Sequence, residues 1–223
     1  MPSPRPDVAR QTRLFGDGDS DSEPSIDAAF ASAARIQLDE TAWIDFVPGW
    51  LHGSERVFAQ VLEDRAWAQH ERWIADRRRT EPRLTARWIL ASGEPLVPSV
   101  LEQARLALSA RYDVRFDSVG FNLYRDGNDS VAWHRDKIRP EIEDPVVALV
   151  SLGEPRRLSF RPVGGGTSRA FTLGHGDLLV TGGAAQRTWE HAVLKVARAG
   201  ARISIAFRYG VDPRAYATRR VLA

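Results

Sequence analysis

The segment FNLYRDGNDSVAWHRD, residues 121–136, determines how the rest of the sequence is interpreted. Asn122 and Tyr124 alternate as on a β-strand, so both side chains are expected on one face of a sheet. A turn cluster rich in Gly, Asn and Asp follows, and His134 and Asp136 then lie two residues apart. An imidazole and a carboxylate at this spacing on a strand are two thirds of a facial triad for a metal ion.

A His-x-Asp pair alone is a weak signal, because a half-exposed His beside a surface Asp has the same sequence. The C-terminal third strengthens it with a second imidazole, His191, and with the segment RISIAFR at residues 202–208. Alternation along a strand directs Arg202, Ser204 and Arg208 to one face. Two guanidinium groups that point inward need anionic partners, because burying an unpaired charge is unfavourable. A dicarboxylate ligand would supply them, since Arg binds carboxylates through a bidentate fork.

Composition limits the classes of protein to which the chain can belong. Its 223 residues are enough for one domain with a sizeable core. The absence of Cys excludes disulfides, thiolate zinc sites, iron–sulfur clusters and thiol nucleophiles, so a metal would take nitrogen and oxygen ligands. No apolar run approaches the roughly 18 residues of a membrane span, and the N-terminus lacks the apolar core of a signal peptide. We therefore expect a cytoplasmic protein without membrane contact, as a monomer. The net charge of +2 is compatible with a polyanionic partner.

Residues 1–27 are rich in Pro, Ser, Asp and Gly and predict a disordered tail before a single domain at residues 28–223. Within this tail, QTRLF from Gln11 to Phe15 resembles the short motif by which bacterial DNA polymerases and repair proteins dock on the sliding clamp. The alternative is that Leu14 and Phe15 pack back on the domain. Both interpretations stay open.

Two helices are predicted in the N-terminal half. Apolar residues at helical spacing indicate one helix from Leu51 to about Arg72, starting near Gly53 or Ser54, and another over residues 95–112. Residues 67–93 interleave Trp with Arg, a pattern that suits phosphate contact and base stacking. An amphipathic helix with a solvated Arg face and a buried Trp face is the other interpretation, and composition does not separate the two.

Short β-runs separated by Gly-rich turns dominate the C-terminal half. They predict an α+β chain whose C-terminal half, about residues 114–210, is a jelly roll. The predicted strands cover residues 146–152, 157–161, 169–173, 176–181, 191–196 and 202–208.

Six blocks, in order and spacing, resemble the AlkB-type Fe(II)/2-oxoglutarate dioxygenases. They lie between about residues 80 and 210. The blocks are PRLT at 82–85, FNLYRDGNDSVAWHRD at 121–136, VSLGEPRRLSFR at 150–161, HGDLLVTGG at 175–183, TWEHAV at 188–193 and RISIAFR at 202–208.

The resemblance implies a double-stranded β-helix, or jelly roll, with N-terminal helices packed on one sheet. It also implies Fe(II), with 2-oxoglutarate and O2 as cosubstrates. The implied iron ligands are His134, Asp136 and His191. The implied 2-oxoglutarate contacts are Arg202 at the distal carboxylate, Arg208 near the chelating end, Asn122, Tyr124 and Ser204. Residues 67–93 would form a lid over the nucleotide. The candidate substrate contacts are Arg83, Trp88, Trp133, Arg135 and Arg161.

The activity implied by the resemblance is oxidative demethylation of N-alkylated bases in DNA or RNA, releasing formaldehyde, succinate and CO2. The base would have to leave its stack to reach the iron. One departure concerns specificity: Ile138 stands where well-known members carry an acidic residue that contacts the base and the second arginine. Glu141 or Glu143 could compensate. The same iron chemistry on a protein, lipid or small molecule is therefore the alternative, and a catalytically silent jelly-roll binding module is a third interpretation.

Overall fold

A computed structural model describes residues 23–74, 76–136 and 138–210 of the chain. Two helices, α1 (Ser54–Asp64) and α2 (Ser99–Tyr112), precede most of the strands, and a short helix α3 (Ala185–Thr188) follows later. The strands are β1 (Ser25–Ile26), β2 (Ala34–Gln37), β3 (Ala42–Val47), β4 (Leu51–His52), β5 (Glu71–Ile74), β6 (Arg77–Thr80), β7 (Leu84–Ile89), β8 (Ser118–Tyr124), β9 (Val131–His134), β10 (Val147–Gly153), β11 (Arg156–Pro162), β12 (Arg169–Leu173), β13 (Leu178–Gly183), β14 (Trp189–Val193) and β15 (Arg202–Arg208).

Two antiparallel sheets form the body of the described chain. The major sheet has the order β2-β3-β13-β10-β15-β8-β7, and the minor sheet has the order β12-β11-β14-β9. Strands distant in sequence are neighbours in both sheets, as β8 and β15 are, which is the connectivity of a jelly roll. The predicted α+β jelly roll with helices packed on one sheet is therefore confirmed.

Alternation along the central strands separates two apolar layers. On β15, Ile203, Ile205 and Phe207 face the helices and join the core cluster that contains Val57 of α1 and Leu101 of α2. The intervening residues of β15 face the minor sheet, where a second apolar cluster fills the interior of the jelly roll. The outer layer fixes the helices to the major sheet, so the inner face remains available for polar side chains.

The predicted first helix is too long. Helix α1 starts at Ser54 after Gly53, whose φ of 61° suits glycine, but it ends at Asp64 rather than near Arg72. The chain turns extended at Arg65, whose guanidinium lies over the Phe121 ring at 4.3 Å. The helix therefore ends at a residue that makes a long-range contact, which apolar periodicity does not reveal. Helix α2 starts at Ser99, directly after Pro98, as the fixed proline φ favours.

The segment 67–93 is not the amphipathic helix that was one of its two interpretations. It contains the β5–β6 ribbon, whose strands pair with each other, and then β7 at the edge of the major sheet. Arg77, Arg78 and Arg79 are exposed on β6. Trp67 and Trp88 are buried in the core, as the helix interpretation required of its tryptophans.

The predicted tail is also too long at its C-terminal end. Ser25 and Ile26 already pair with β4, so the folded region includes residues that were assigned to the tail. The Gln11 to Phe15 motif lies outside the described residues. Within the described ranges, no helix combines the length and the apolar character that crossing a membrane requires.

Candidate metal centre

Three potential metal ligands from two separate segments of the sequence converge at the β9–β14 pair of the minor sheet. His134 ends β9 and pairs directly with His191 on β14, while Asp136 follows two residues after His134. The potential ligand atoms of the three residues all lie within 4.8 Å of one another. Two imidazoles and one carboxylate can occupy one face of an octahedral metal and leave the other face open. The predicted triad is therefore assembled in a geometry that could hold an ion.

Protonation states in this cluster favour metal coordination. Burial lowers the pKa of His191 to about 4, although the Asp136 carboxylate opposes the shift, so the imidazole is neutral at pH 7. Burial would raise the pKa of Asp136, but the charge of Arg208 and the neighbouring imidazoles lower it well below its usual range. His134 Nδ1 lies 2.8 Å from the Ala132 carbonyl oxygen, which accepts a hydrogen bond from Nδ1–H and leaves Nε2 as the atom that could bind a metal. Neutral imidazole and ionised carboxylate are the forms that bind metals.

Arg208 binds the metal-ligand candidate Asp136 directly. Its Nε donates to Oδ2 at 2.8 Å and its Nη2 to Oδ1 at 3.2 Å. The sequence left open which acid would pair with Arg208, since Ile138 replaces the usual one; Asp136 is such a partner, whereas Glu141 and Glu143 are exposed. This fork orients the carboxylate and balances its charge.

Arg202 has a different environment from Arg208. Its side chain is completely buried, and its Nε donates to Ser151 Oγ at 2.9 Å. Nη1 and Nη2 are buried and make no hydrogen bond to any described residue. Burial lowers its pKa to about 10, with Tyr124 opposing, so the group stays cationic at pH 7. A buried cation with two unused donors fits one carboxylate of a dicarboxylate ligand, which would bind both.

Two polar residues complete this face of the major sheet. Asn122 on β8 pairs with Ser204 on β15, and the ring of Tyr124 lies 5.4 Å below the Arg202 guanidinium. All the predicted 2-oxoglutarate residues therefore lie on the inner face of the major sheet, which faces the triad. Ser151 was missed by sequence reasoning, although it lies in the VSLGEP block that was singled out. The available signal was its alternation with the apolar Val150 and Leu152, which are buried on the side of the sheet that packs against the helices.

Comparison with known proteins identifies the family. The model of the 2OG-Fe(II) oxygenase superfamily matches residues 49–208, well over half of the chain. The chain belongs to the 2OG-Fe(II) oxygenase superfamily. This superfamily uses Fe(II), 2-oxoglutarate and O2, the groups for which the triad and the Arg202 donors are suited. The predictions of an AlkB-type member and of a 2-oxoglutarate- and Fe(II)-dependent dioxygenase are confirmed at the level of the family.

Individual relatives within this superfamily are of the AlkB type. The alpha-ketoglutarate-dependent dioxygenase alkB homolog 3 of Bos taurus is 30% identical over 182 residues, which cover 72% of this chain and 64% of the relative. The DNA oxidative demethylase ALKBH2 of Arabidopsis thaliana is 32% identical over 118 residues, covering 42% of this chain and 38% of the relative. The chain thus spans less than two thirds of the length of either relative.

Among solved structures, a prolyl hydroxylase from Trichoplax adhaerens, in complex with a hypoxia inducible factor peptide fragment, has a similar fold. Its TM-score is 0.54 and its sequence identity 14%, over 74% of this chain and 83% of that one. At this identity the likeness concerns the oxygenase fold alone.

The oxygenase fold places the predicted substrate residues in three environments. Trp88 is 5% exposed, packs in the core under the helices and donates its Nε1 hydrogen to the Glu94 carbonyl oxygen, so its ring offers no face to a ligand. Arg83 lies on the site side of the sheet, where its Nε donates to Asn122 Oδ1 at 3.1 Å.

The remaining three candidates lie away from the inner face. Arg161 pairs with Glu190 across the minor sheet, one residue out of phase with the Phe160–His191 pair, so it faces outward. Its guanidinium lies 4.3 Å from the Trp133 ring and binds Glu190 at 2.9 Å. Arg135 is exposed and donates to the Arg187 carbonyl oxygen. Arg161 and Trp133 thus contact each other on the outer side of the minor sheet, whereas Arg135 contacts α3.

Arg87 belongs to the Trp/Arg segment but was not among the candidate substrate contacts, and it faces the site instead of Trp88. On β7 it pairs with Gly120, which belongs to the inner face of β8, and it is exposed. A Cβ on Gly120 would lie 3.1 Å from Arg208 Nη1, so glycine leaves room for the Arg208–Asp136 fork beside Arg87. The signal in the sequence was the alternation along β7 of apolar Leu84 and Trp88 with polar Thr85 and Arg87. In the structure the two apolar residues are buried and the two polar residues are not.

Proposed function

We propose that this oxygenase removes alkyl groups from nitrogen atoms of nucleobases in DNA or RNA. The observation that carries the oxygenase part is the pairing of a His–Asp–His triad with a fully buried arginine whose Nη atoms lack partners among the described residues. The nucleic-acid part is supported by the AlkB-type relatives and by the exposed arginines beside the site.

Separate residues of this chain would bind the metal and the 2-oxoglutarate. His134, Asp136 and His191 would hold Fe(II), and Arg208 would keep the Asp136 carboxylate in its coordinating orientation. Arg202 would bind the distal carboxylate of 2-oxoglutarate. With its cosubstrates bound, the iron supplies the oxidising power by which an N-alkyl carbon is hydroxylated and lost as formaldehyde, with succinate and CO2 as coproducts.

Further cosubstrate contacts would come from the same sheet face. In the register of β8 and β15, Tyr124 pairs with Arg202 and Asn122 pairs with Ser204. Ser151 accepts a hydrogen bond from Arg202 Nε and so orients the guanidinium group. The apolar cluster beneath, which includes Phe160 and Leu179, would exclude water from the interior. The chain's own contribution is thus charge neutralisation, orientation and a dry cavity.

The β5–β6 ribbon and β7 supply the proposed nucleic-acid surface. The ribbon carries Arg77, Arg78 and Arg79 on its exposed strand, with Arg78 bound to the exposed Glu71 at 3.4 Å. It is joined to β7 at the Ala68–Thr85 bridge, so it stands on the edge of the sheet where Arg87 faces the site. Cations at this edge would contact phosphates while a base turned out of its stack enters the cavity.

Ile138 favours a second candidate function. A half-buried apolar residue two positions after Asp136 cannot accept a hydrogen bond from a base. The same iron site would then oxidise a protein, lipid or small molecule.

The deciding experiment measures formaldehyde and succinate release by the full-length protein with Fe(II), 2-oxoglutarate and O2. Substrates are oligonucleotides with one 1-methyladenine or 3-methylcytosine, as single strands and duplexes, in DNA and RNA. We expect stoichiometric formaldehyde and succinate with methylated strands and background with unmodified strands of equal sequence. Succinate that does not respond to any methylated strand would reject the nucleobase substrate and favour the second candidate.

Arginine variants test the ribbon in the same assay. Arg77→Ala with Arg79→Ala should raise the KM for the oligonucleotide about tenfold, with a reduced salt dependence, because each phosphate contact releases counterions. Arg157→Ala, an exposed arginine on the minor sheet, is the control and should leave KM unchanged.

We also propose that the peptide from Gln11 to Phe15 docks on a bacterial sliding clamp. Binding of a peptide of residues 1–22 to purified clamp, with Leu14→Ala and Phe15→Ala peptides as controls, tests this. Equal binding of the three peptides would reject it.

A further inference from the structure

Arg83 is held between an acid and an amide at the border of the cosubstrate site. Its Nη2 lies 3.0 Å from Glu81 Oε2, and its Nε donates to Asn122 Oδ1 at 3.1 Å. The Arg83 and Glu81 side chains are only 13% and 9% exposed. The charge of Arg83 is therefore already balanced within the protein, which makes it a poor phosphate ligand but a firm hydrogen-bond donor.

Glu81 is itself fixed by the backbone around it. Its amide donates to the His70 carbonyl oxygen at 2.7 Å, and its carbonyl oxygen accepts from Gln69 Nε2 at 3.0 Å. The next residue, Pro82, accepts from the amide of Ser130, in the turn that leads into β9. Arg83 thus extends from a rigid segment, so the position of its Nε is well determined.

The contact with Arg83 determines the orientation of the Asn122 amide. A guanidinium nitrogen can only donate, so the Asn122 atom that faces it must be the oxygen. The amino group, Nδ2, is then the end of the side chain that is available to a ligand. Asn122 pairs with Ser204, two residues from Arg202 on the same face of β15, so this donor lies beside the unpartnered Arg202 donors.

We propose that Arg83 is a positioning residue for the cosubstrate and not a contact to the nucleobase. By occupying Asn122 Oδ1 it keeps Nδ2 turned toward the 2-oxoglutarate that Arg202 binds. Without Arg83 the amide would be free to rotate and present its oxygen to an anion. The inference rests on the proposed 2-oxoglutarate role of Asn122, and it reassigns the substrate role predicted for Arg83.

The test measures 2-oxoglutarate binding to the Mn²⁺-loaded, full-length protein by calorimetry, without nucleic acid. Arg83→Leu should weaken 2-oxoglutarate binding about five- to tenfold, the effect of one hydrogen bond, with Mn²⁺ affinity unchanged. Asn122→Leu should weaken it similarly, and the double variant should be no weaker than Asn122→Leu, because the two residues act through one contact. Arg83→Lys, which keeps a donor and the Glu81 pair, should restore part of the affinity.

Asn122→Asp provides a second test if Arg83→Leu does not fold. It keeps an acceptor for Arg83 but replaces the Nδ2 donor with an oxygen, so 2-oxoglutarate binding should fall at least tenfold. The control is Arg157→Leu, which removes an exposed arginine on the minor sheet. Thermal melting of each apo variant separates lost binding from lost folding.

Three results would overturn the inference: wild-type 2-oxoglutarate affinity in Asn122→Asp, additive losses in the double variant, or wild-type 2-oxoglutarate affinity in a folded Arg83→Leu variant. Failure of the nucleobase proposal would not affect these measurements, because no nucleic acid is present. Failure of the wild-type protein to bind 2-oxoglutarate would instead reject the cosubstrate site itself.

Discussion

The two ends of strand β15 carry arginines on the same face, six residues apart, yet their surroundings are opposite. Arg208 forms a bidentate pair with Asp136 and is partly exposed. Arg202 is fully buried, with one bond to Ser151 and two Nη atoms that lack partners in the described chain. At the Arg208 end the protein itself supplies the anion, the Asp136 carboxylate. At the Arg202 end the proposed anion is a carboxylate of the ligand.

This difference separates two tasks of the site. A metal ligand has to be oriented before the metal arrives, so Asp136 has a permanent partner. A cosubstrate has to enter and leave, so in the proposed function Arg202 would keep unused donors for it, at the cost of a buried, incompletely paired charge. The proposed function therefore predicts a less stable apo protein at the Arg202 end than an apolar residue would give.

The most severe test removes a triad member. His134→Ala should weaken Mn²⁺ or Fe(II) binding by about 100-fold or more, because two ligands cannot form a facial site. Anaerobic equilibrium dialysis measures this, with His52→Ala, an exposed His on β4, as the control. Metal affinity that survives in His134→Ala would place the metal elsewhere and remove the reason for the Arg208–Asp136 pair.

Arg202→Met tests the end of β15 at which the arginine is buried and its Nη atoms lack partners in the described chain. We expect the 2-oxoglutarate Kd to rise about 30- to 100-fold, because hydrogen bonds to charged groups contribute about 1.5–3 kcal/mol. The apo protein should be equally or more stable, since an apolar side chain replaces a buried charge without a full set of partners. Calorimetry and thermal melting report the two effects, with Arg157→Met as the control. A marked fall in the apo Tm would show that Arg202 is balanced without ligand.

Arg208→Met should have the opposite effect on stability. It leaves the Asp136 carboxylate without its fork, and we expect a loss of about 1–3 kcal/mol in the free energy of unfolding, since Arg208 is partly exposed. Saturating Mn²⁺ should recover part of the loss, because a cation again balances the carboxylate. Chemical denaturation with and without Mn²⁺ measures this. If the melting behaviour matches that of Arg202→Met, the two ends do not differ as described.

Ser151→Ala is the smallest change that affects only the Arg202 end of β15. It removes the acceptor of Arg202 Nε and should raise the 2-oxoglutarate Kd about three- to fivefold, because the guanidinium loses one orienting bond. Metal affinity should not change. The control Ser159→Ala lies on the minor sheet. A larger effect on metal than on 2-oxoglutarate binding would contradict the separation of the two tasks.

Periodicity explains which parts of the fold were predictable. The six C-terminal strands lie within three residues of their predicted bounds, because turn residues and alternation are local signals. The helix that was extended to Arg72 and the tail that was extended to residue 27 both failed where a distant contact decided the end. These contacts are Arg65 on Phe121 and the pairing of β1 with β4.

Residue types and their spacing were enough to predict the candidate metal ligands and the candidate dicarboxylate ligands, and alternation predicted that Arg202, Ser204 and Arg208 share one face of a strand. The tertiary structure alone decided their partners. Register placed Arg87 rather than Trp88 toward the site, gave Asp136 to Arg208, and joined Arg83 to Asn122. The physical reason is that alternation along a strand is a local property, whereas a hydrogen bond or an ion pair depends on which distant strand lies alongside.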